Sequence, residues 1–176
     1  AATLLMLGLP GSAYLYQGEE LGLPDHTALD DDLRQDPTWV RSGRTERGRD
    51  GCRVPIPWES SAPGLGFGPS GTSWLPQPDS YAALARDRQQ GVAGSTLELY
   101  RTALAARRSR QLGLGRLRWA AEMPSSVVAY TNGSIEVVAN LGTHPVAVPA
   151  GELLVCSGEL TADGLLPADT TVWIAR

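Results

Sequence analysis

The stretch that most constrains this chain is Gly11-Ser12-Ala13-Tyr14-Leu15-Tyr16, followed at once by Gln17-Gly18-Glu19-Glu20-Leu21-Gly22. A short apolar run that stops abruptly at an amide, glycines and two carboxylates reads as a buried strand opening into a polar loop. Upstream, Ala1 to Leu9 holds Leu4, Leu5, Met6 and Leu7 with no helix breaker before Pro10, so a helix is expected there. Helix, tight turn, strand and polar loop make one αβ step of a parallel α/β fold. Sites in such folds open at the C-terminal ends of the strands, where Gln17, Glu19 and Glu20 fall.

Leu23 to about Pro78 is irregular and rich in Gly, Pro, Asp and Ser. Loops this long inside compact domains are usually site-forming, and Trp39, Trp58, Phe67 and Trp74 are costly to leave in water. An ordered loop covering the mouth of the site is therefore expected, with Trp58 and Trp74 as packing anchors. Tyr81 to Gln89 reads as a short helix. Ser95-Thr96-Leu97-Glu98 is a capping box that starts a longer one, with Leu97, Tyr100, Ala103, Leu104 and Arg107 on one face and Gly113 as its stop. From Gly115 the periodicity shortens. Val127–Tyr130, Asn132-Gly133 and Ile135–Ala139 predict a hairpin with a type I′ turn. Val146–Val148, Leu153–Cys156 and Thr171–Ile174 add strands, so an antiparallel sandwich or barrel is expected, leaning on the preceding helix.

Composition excludes several partners. The net charge of −4 argues against nucleic acid, whose phosphates need a basic surface. A chain 42% hydrophobic and 19% charged, with no apolar run of bilayer length, predicts no membrane partner. All fifteen basic residues are arginine, which with the Ala, Gly and Pro content points to a GC-rich bacterial genome. Cys52 and Cys156 lie too far apart for a disulfide framework and read as reduced cytoplasmic thiols. His26 and His144 are isolated, Asp30-Asp31-Asp32 reads as a solvated patch, and Gly64-Leu65-Gly66-Phe67-Gly68 lacks the dinucleotide fingerprint. Neither metal nor cofactor is expected.

Glu19 and Glu20 invite comparison with the carboxylate pair of glycoside hydrolysis. Adjacent residues diverge on a strand and on a helix alike, however, so the two should not converge on one bond. Arg49 and Arg53, around Asp50, are better binding candidates, because a guanidinium fork can bridge neighbouring sugar hydroxyls or hold a carboxylate that does so. Gln35-Asp36-Pro37 reads as a turn from its own chemistry.

Tyr14-Leu15-Tyr16-Gln17-Gly18-Glu19-Glu20-Leu21-Gly22, then Gly48-Arg49-Asp50-Gly51-Cys52-Arg53-Val54-Pro55-Ile56-Pro57-Trp58, closely resembles the last barrel strand and loop of α-glucosidases of glycoside hydrolase family 13. Trp74-Leu75-Pro76 and the helix from Ser95 continue the likeness. The resemblance implies the C-terminal end of a (β/α)8 barrel over 1–112 and a small antiparallel β-domain over 113–176. It also implies that the rest of the barrel lies upstream of Ala1, with the nucleophile, the acid/base and the stabilising carboxylate, so no catalytic residue is expected in this segment. The implied activity is retaining hydrolysis of terminal α-linked glucose from an α-glucoside or oligosaccharide, through a covalent glucosyl carboxylate. Arg49 matches the arginine that binds the glucose ring at the non-reducing end, Arg53 is the second choice, and Gln35-Asp36 match a loop near the leaving-group side. Alternatives are a sucrose- or trehalose-acting transglucosylase, and a non-catalytic homologue like the transporter heavy chains. A standalone carbohydrate-binding domain would not need residues 1–112.

Overall fold

A computed structural model describes the whole chain, Ala1–Arg176. Its residues pack as two compact units, Ala1–Tyr14 with Leu99–Arg176, and Leu15–Glu98. These packing units differ from the 1–112 and 113–176 division expected from the sequence.

The first unit is built on a five-stranded sheet: β1 (Leu117–Trp119), β2 (Val127–Asn132), β3 (Ile135–Asn140), β4 (Glu152–Cys156) and β5 (Thr170–Ala175). All pairings are antiparallel, in the order β1-β2-β3-β5-β4. Side chains alternate across a pleated sheet, and here both faces are buried. One face carries Tyr130, Ile135, Val137, Val155 and Trp173 against Leu4 and Leu7 of helix α1 (Ala2–Leu7) and Ala103 of helix α5 (Thr96–Ser109). The other carries Val127, Ala129, Val138, Val172 and Ile174 beneath Val146, Val148, Leu160 and Leu166. This second layer is apolar side chains and a single bridge, Val146 to Leu166, where paired strands were expected. Pro145 and Pro149 flank Val146–Val148 and Pro167 follows Leu166, and proline donates nothing to a ladder.

Polar bonds fasten the helices to the sheet. Trp173 Nε1 donates to the Leu4 carbonyl at 3.0 Å, and the Tyr130 hydroxyl donates to that of Leu5. Burial pushes the Tyr130 phenol well above its ordinary pKa, so it stays a donor. Arg107 on α5 donates to the carbonyls of Leu7, Leu9 and Gly11 at 2.5, 2.6 and 2.5 Å, closing the orphan C-terminal end of α1 and the turn after it.

Three local expectations are corrected. Residues 12–16 form no strand, between a bend at Gly11 and a turn at Gln17, and Tyr14 is 85% exposed; a strand exists only through a neighbour's ladder, and no strand of this chain pairs with it. Helix α5 ends at Ser109, not at Leu112. Gln111 takes the left-handed conformation (φ 53°) two residues before the expected stop at Gly113, and Leu104 is part-exposed. The hairpin forms, but its two-residue turn is Gly133-Ser134, with Asn132 paired to Ile135. Only Gly133 of the pair has positive φ (60°), because Asn132 is held in the sheet by its side chain. Its Nδ2 donates to the carbonyls of Gly8 and Leu112, at 2.8 and 2.9 Å.

The second unit contains short helices α2 (Pro37–Arg41), α3 (Tyr81–Leu84) and α4 (Arg86–Gln89), and single 3₁₀ turns at Glu19–Leu21, Asp31–Leu33 and Asp50–Arg53. Leu29, Val54, Leu75 and Tyr81 form its small core with Leu23, Leu33 and Leu65. Trp39 is buried as an anchor should be, whereas Trp58, Phe67 and Trp74 are 42%, 50% and 65% exposed. The loop carrying them folds back on itself, with both Trp58 and Glu59 N–H donating to the Leu65 carbonyl, which leaves the rings outside.

Candidate substrate-binding loops

Two loops of the Leu15–Glu98 unit hold the residues singled out from sequence. In the first, Asp36 caps α2: its side chain accepts from Thr38 N–H at 2.8 Å, and Pro37 occupies the first helical position. In the second, Gly48 takes φ 65° and delivers Arg49 into the 3₁₀ turn Asp50–Arg53.

The loops are cross-tied by their carboxylates. Asp36 Oδ2 accepts from Arg49 N–H at 3.1 Å, and Asp50 Oδ2 accepts from the N–H groups of Gln35 and Asp36, both at 2.9 Å. Arg53 lies between the two acids, 3.1 Å from Asp36 and 3.6 Å from Asp50. Asp36 and Asp50 are buried, while Gln35, Arg49 and Arg53 are exposed. The amide donors of Thr38 and Arg49, helped by Arg53, hold the Asp36 carboxyl down to about pH 2.

Arg49 itself reaches across to the other motif. Its guanidinium stacks over the Tyr16 ring, 5.4 Å from the centroid. Beside Tyr16 lies a cavity of about 180 Å³ lined by Gln17, Glu19, Asp25, Cys52 and Tyr81, among others. Burial and the neighbouring Asp25 raise the Tyr81 phenol above its ordinary value, and its hydroxyl donates to the Pro24 carbonyl at 2.6 Å. Glu19 and Glu20 turn back on their own loop, accepting from Tyr16 and Gly18 N–H. Neither arrangement resembles a carboxylate pair flanking a bond. Cys52 and Cys156 are both free thiols.

A profile of the α-amylase catalytic domain matches residues 1–114. The chain belongs to the α-amylase family. Among relatives in this family, a probable α-glucosidase of Rhizobium meliloti (strain 1021) is 42% identical over 105 residues, which are 60% of this chain and 18% of that protein. Maltase A1 of Drosophila melanogaster is 30% identical over 148 residues, covering 80% of this chain and 25% of its own. The crystal structure of the α-glucosyl transfer enzyme XgtA superposes with a TM-score of 0.79 at 34% identity, over 99% of this chain and 35% of that one. The chain thus spans between about a fifth and a third of the length of these α-amylase family members.

Sequence reasoning missed the residues that build these loops from beneath. Arg34 is buried, pairs with Asp31 at 3.0 Å, donates to the Leu29 carbonyl at 2.7 Å and lies over Trp39. Gln89 is buried too, donating to the carbonyls of Leu21 and Leu84 and accepting from Leu97 N–H. Nothing in a linear pattern marks either.

Proposed function

We propose that this chain is the C-terminal portion of a retaining α-glucosidase that releases terminal glucose from α-linked oligosaccharides. In that reading residues 1–112 complete a (β/α)8 barrel, 113–176 form its β-domain, and the catalytic carboxylates stand on the part of the barrel upstream of Ala1. The observation that carries it is the Arg49–Tyr16 stack, which brings the two family-like motifs side by side at one cavity.

An exposed guanidinium fixed by its backbone and by an aromatic face presents its remaining donors in a set plane. Two adjacent equatorial hydroxyls of a glucose ring match that fork. Arg49 is the primary substrate-binding residue, with Gln35 exposed on the paired loop for the leaving-group side. Arg53 and Asp36 complete the binding set, chiefly by holding these two in place. No metal or cofactor is required for retaining hydrolysis by this route. We place the enzyme in the cytoplasm, supported by its two free thiols, and assign it neither a nucleic-acid nor a membrane partner.

A second reading, glucose transfer to a sugar acceptor, is favoured by the 34% identity to the α-glucosyl transfer enzyme and by the 31% identity to a trehalose synthase/amylase of Mycobacterium tuberculosis. An amino acid transporter heavy chain of Rattus norvegicus, 29% identical over 116 residues, keeps a non-catalytic role in view. The test is to express the full-length reading frame and assay it on an aryl α-glucoside, maltose, isomaltose, sucrose and trehalose. Glucose release that Arg49→Gln weakens through KM supports the α-glucosidase reading. Isomerised or lengthened products favour transfer, and no turnover of any sugar rejects both.

A further inference from the structure

Asp50 is only 4% exposed, yet it sits between two arginines in a loop that must present one of them to solvent. We propose that Asp50 and Asp36 are positioning residues that set where Arg49 and Gln35 stand, each by gripping the backbone of the other's loop without touching the sugar. This rests on the assignment of Arg49 as a substrate-binding residue.

The geometry is reciprocal. Asp50 Oδ2 receives the amides of Gln35 and Asp36, while Asp36 Oδ2 receives the amide of Arg49. The opposite oxygens are also engaged: Asp36 Oδ1 takes Thr38 N–H, and Asp50 Oδ1 faces Arg53. Every carboxylate oxygen therefore meets a donor. An amide in place of either acid has one oxygen and one NH₂, so in either orientation it turns a donor toward a donor. The conservative change Asp→Asn is then the disruptive one, although it preserves volume. Gly48 completes the fit, since a Cβ there would stand 2.6 Å from Asp36 Cβ and Cγ.

A loop brace of this kind governs affinity for the glucose ring and leaves the chemical step alone, because it acts only on the placement of a binding group. The half of it that Asp36 supplies runs through Arg49, which makes it separable from a general loss of structure.

In the full-length enzyme, Asp50→Asn is expected to raise KM for an aryl α-glucoside about 10-fold with kcat within about two-fold, the signature of lost uniform binding. On an Arg49→Gln background Asp36→Asn, which loses the grip on the Arg49 amide, should add almost nothing, since those two changes share one pathway. Hydrogen exchange of the Gln35 and Asp36 amides should quicken in Asp50→Asn, and that of the Thr38 and Arg49 amides in Asp36→Asn. If Asp50→Asn proves too unstable to assay, Asp36→Asn takes the same KM measurement. An unchanged KM for the assayed variant, with Arg49→Gln still impaired, overturns the brace and leaves the Arg49 assignment standing. KM losses that multiply in the double variant overturn it as well. An unchanged KM for Arg49→Gln alone removes the assignment itself, and the brace as a determinant of affinity falls with it.

Discussion

Asp36 is the residue whose charge the site loops depend on most visibly. Its carboxyl is held down to about 2, first by the Thr38 and Arg49 amides, so the folded chain binds that proton less readily than the unfolded chain does. The brace is therefore fully present above the ordinary carboxylate range and is lost as pH falls through about 2. Exchange of the Arg49 amide, followed in acid with intrinsic rates corrected for pH, should stay protected down to that window and not fail near pH 4. Gly48 makes the matching steric prediction: Gly48→Ala combines a positive φ with a 2.6 Å approach to Asp36 and should loosen the Asp36–Arg49 bond, read as faster exchange at Arg49. At this scale the Arg49, Arg53, Gln35 and Asp36 positions singled out from sequence gather in space. It could not show that Asp36 and Asp50 exchange partners across an interval of fourteen residues, because reciprocal side-chain-to-backbone bonds leave no periodicity. Asp50 was visible only as the neighbour of an arginine.

Among the elements, the hairpin, the strands at Leu153–Cys156 and Thr171–Ile174 and the start of the Ser95 helix were legible, whereas the strands expected near 11–17 and at Val146–Val148 do not form. The Ser95 cap forms, its hydroxyl accepting from Glu98 N–H at 3.3 Å, and the Glu98 carboxylate accepts from Gly91 N–H. The hairpin was legible from Asn132-Gly133. Its turn lies one residue further on because core carbonyls capture the Asn132 amide, a tertiary bond that overrides local turn preference. The stretch 11–17 was over-read, since apolar content alone cannot supply a ladder. Helix α1, with its six residues, is too short to persist unaided and is held by its docking on the sheet. Gly8 permits that docking: a Cβ there would lie 2.6 Å from the Tyr130 hydroxyl and 2.7 Å from a Val137 methyl. Gly8→Ala should cost about 1–3 kcal/mol by overpacking, measured by urea unfolding monitored through the buried Trp173. Arg107→Met should cost a similar amount, about 1.5–3 kcal/mol, because the carbonyls of Leu7, Leu9 and Gly11 lose charged donors.

At the scale of the whole molecule, the antiparallel sheet and the family were legible. A division by sequence character separated 1–112 from 113–176, whereas α1 packs in the same unit as the sheet because Leu4, Leu7 and Trp173 share one core. Those contacts join residues at opposite ends of the chain, beyond the reach of any sequence window. The 176 residues alone should not turn over an aryl α-glucoside, since Glu19 and Glu20 are each folded onto loop amides; release of aglycone by the purified chain would refute this. The burial of Asn132 has a consequence on a slower clock. Asparagine before glycine is the pairing most prone to cyclise to a succinimide and deamidate, because a following glycine leaves its amide nitrogen free to attack. Here Asn132 is fully buried, its side-chain nitrogen bonded to two carbonyls and its Oδ1 lacking any partner where Gly115 passes close by. The native sheet thus shields the bond, and ageing at this position is confined to molecules that have opened. An aspartate or isoaspartate formed there would set a buried acid against the Gly8 and Leu112 carbonyls, which opposes reclosing of the sheet. Isoaspartate at residue 132, quantified by peptide mapping, would serve as a cumulative record of how often the sheet has come apart.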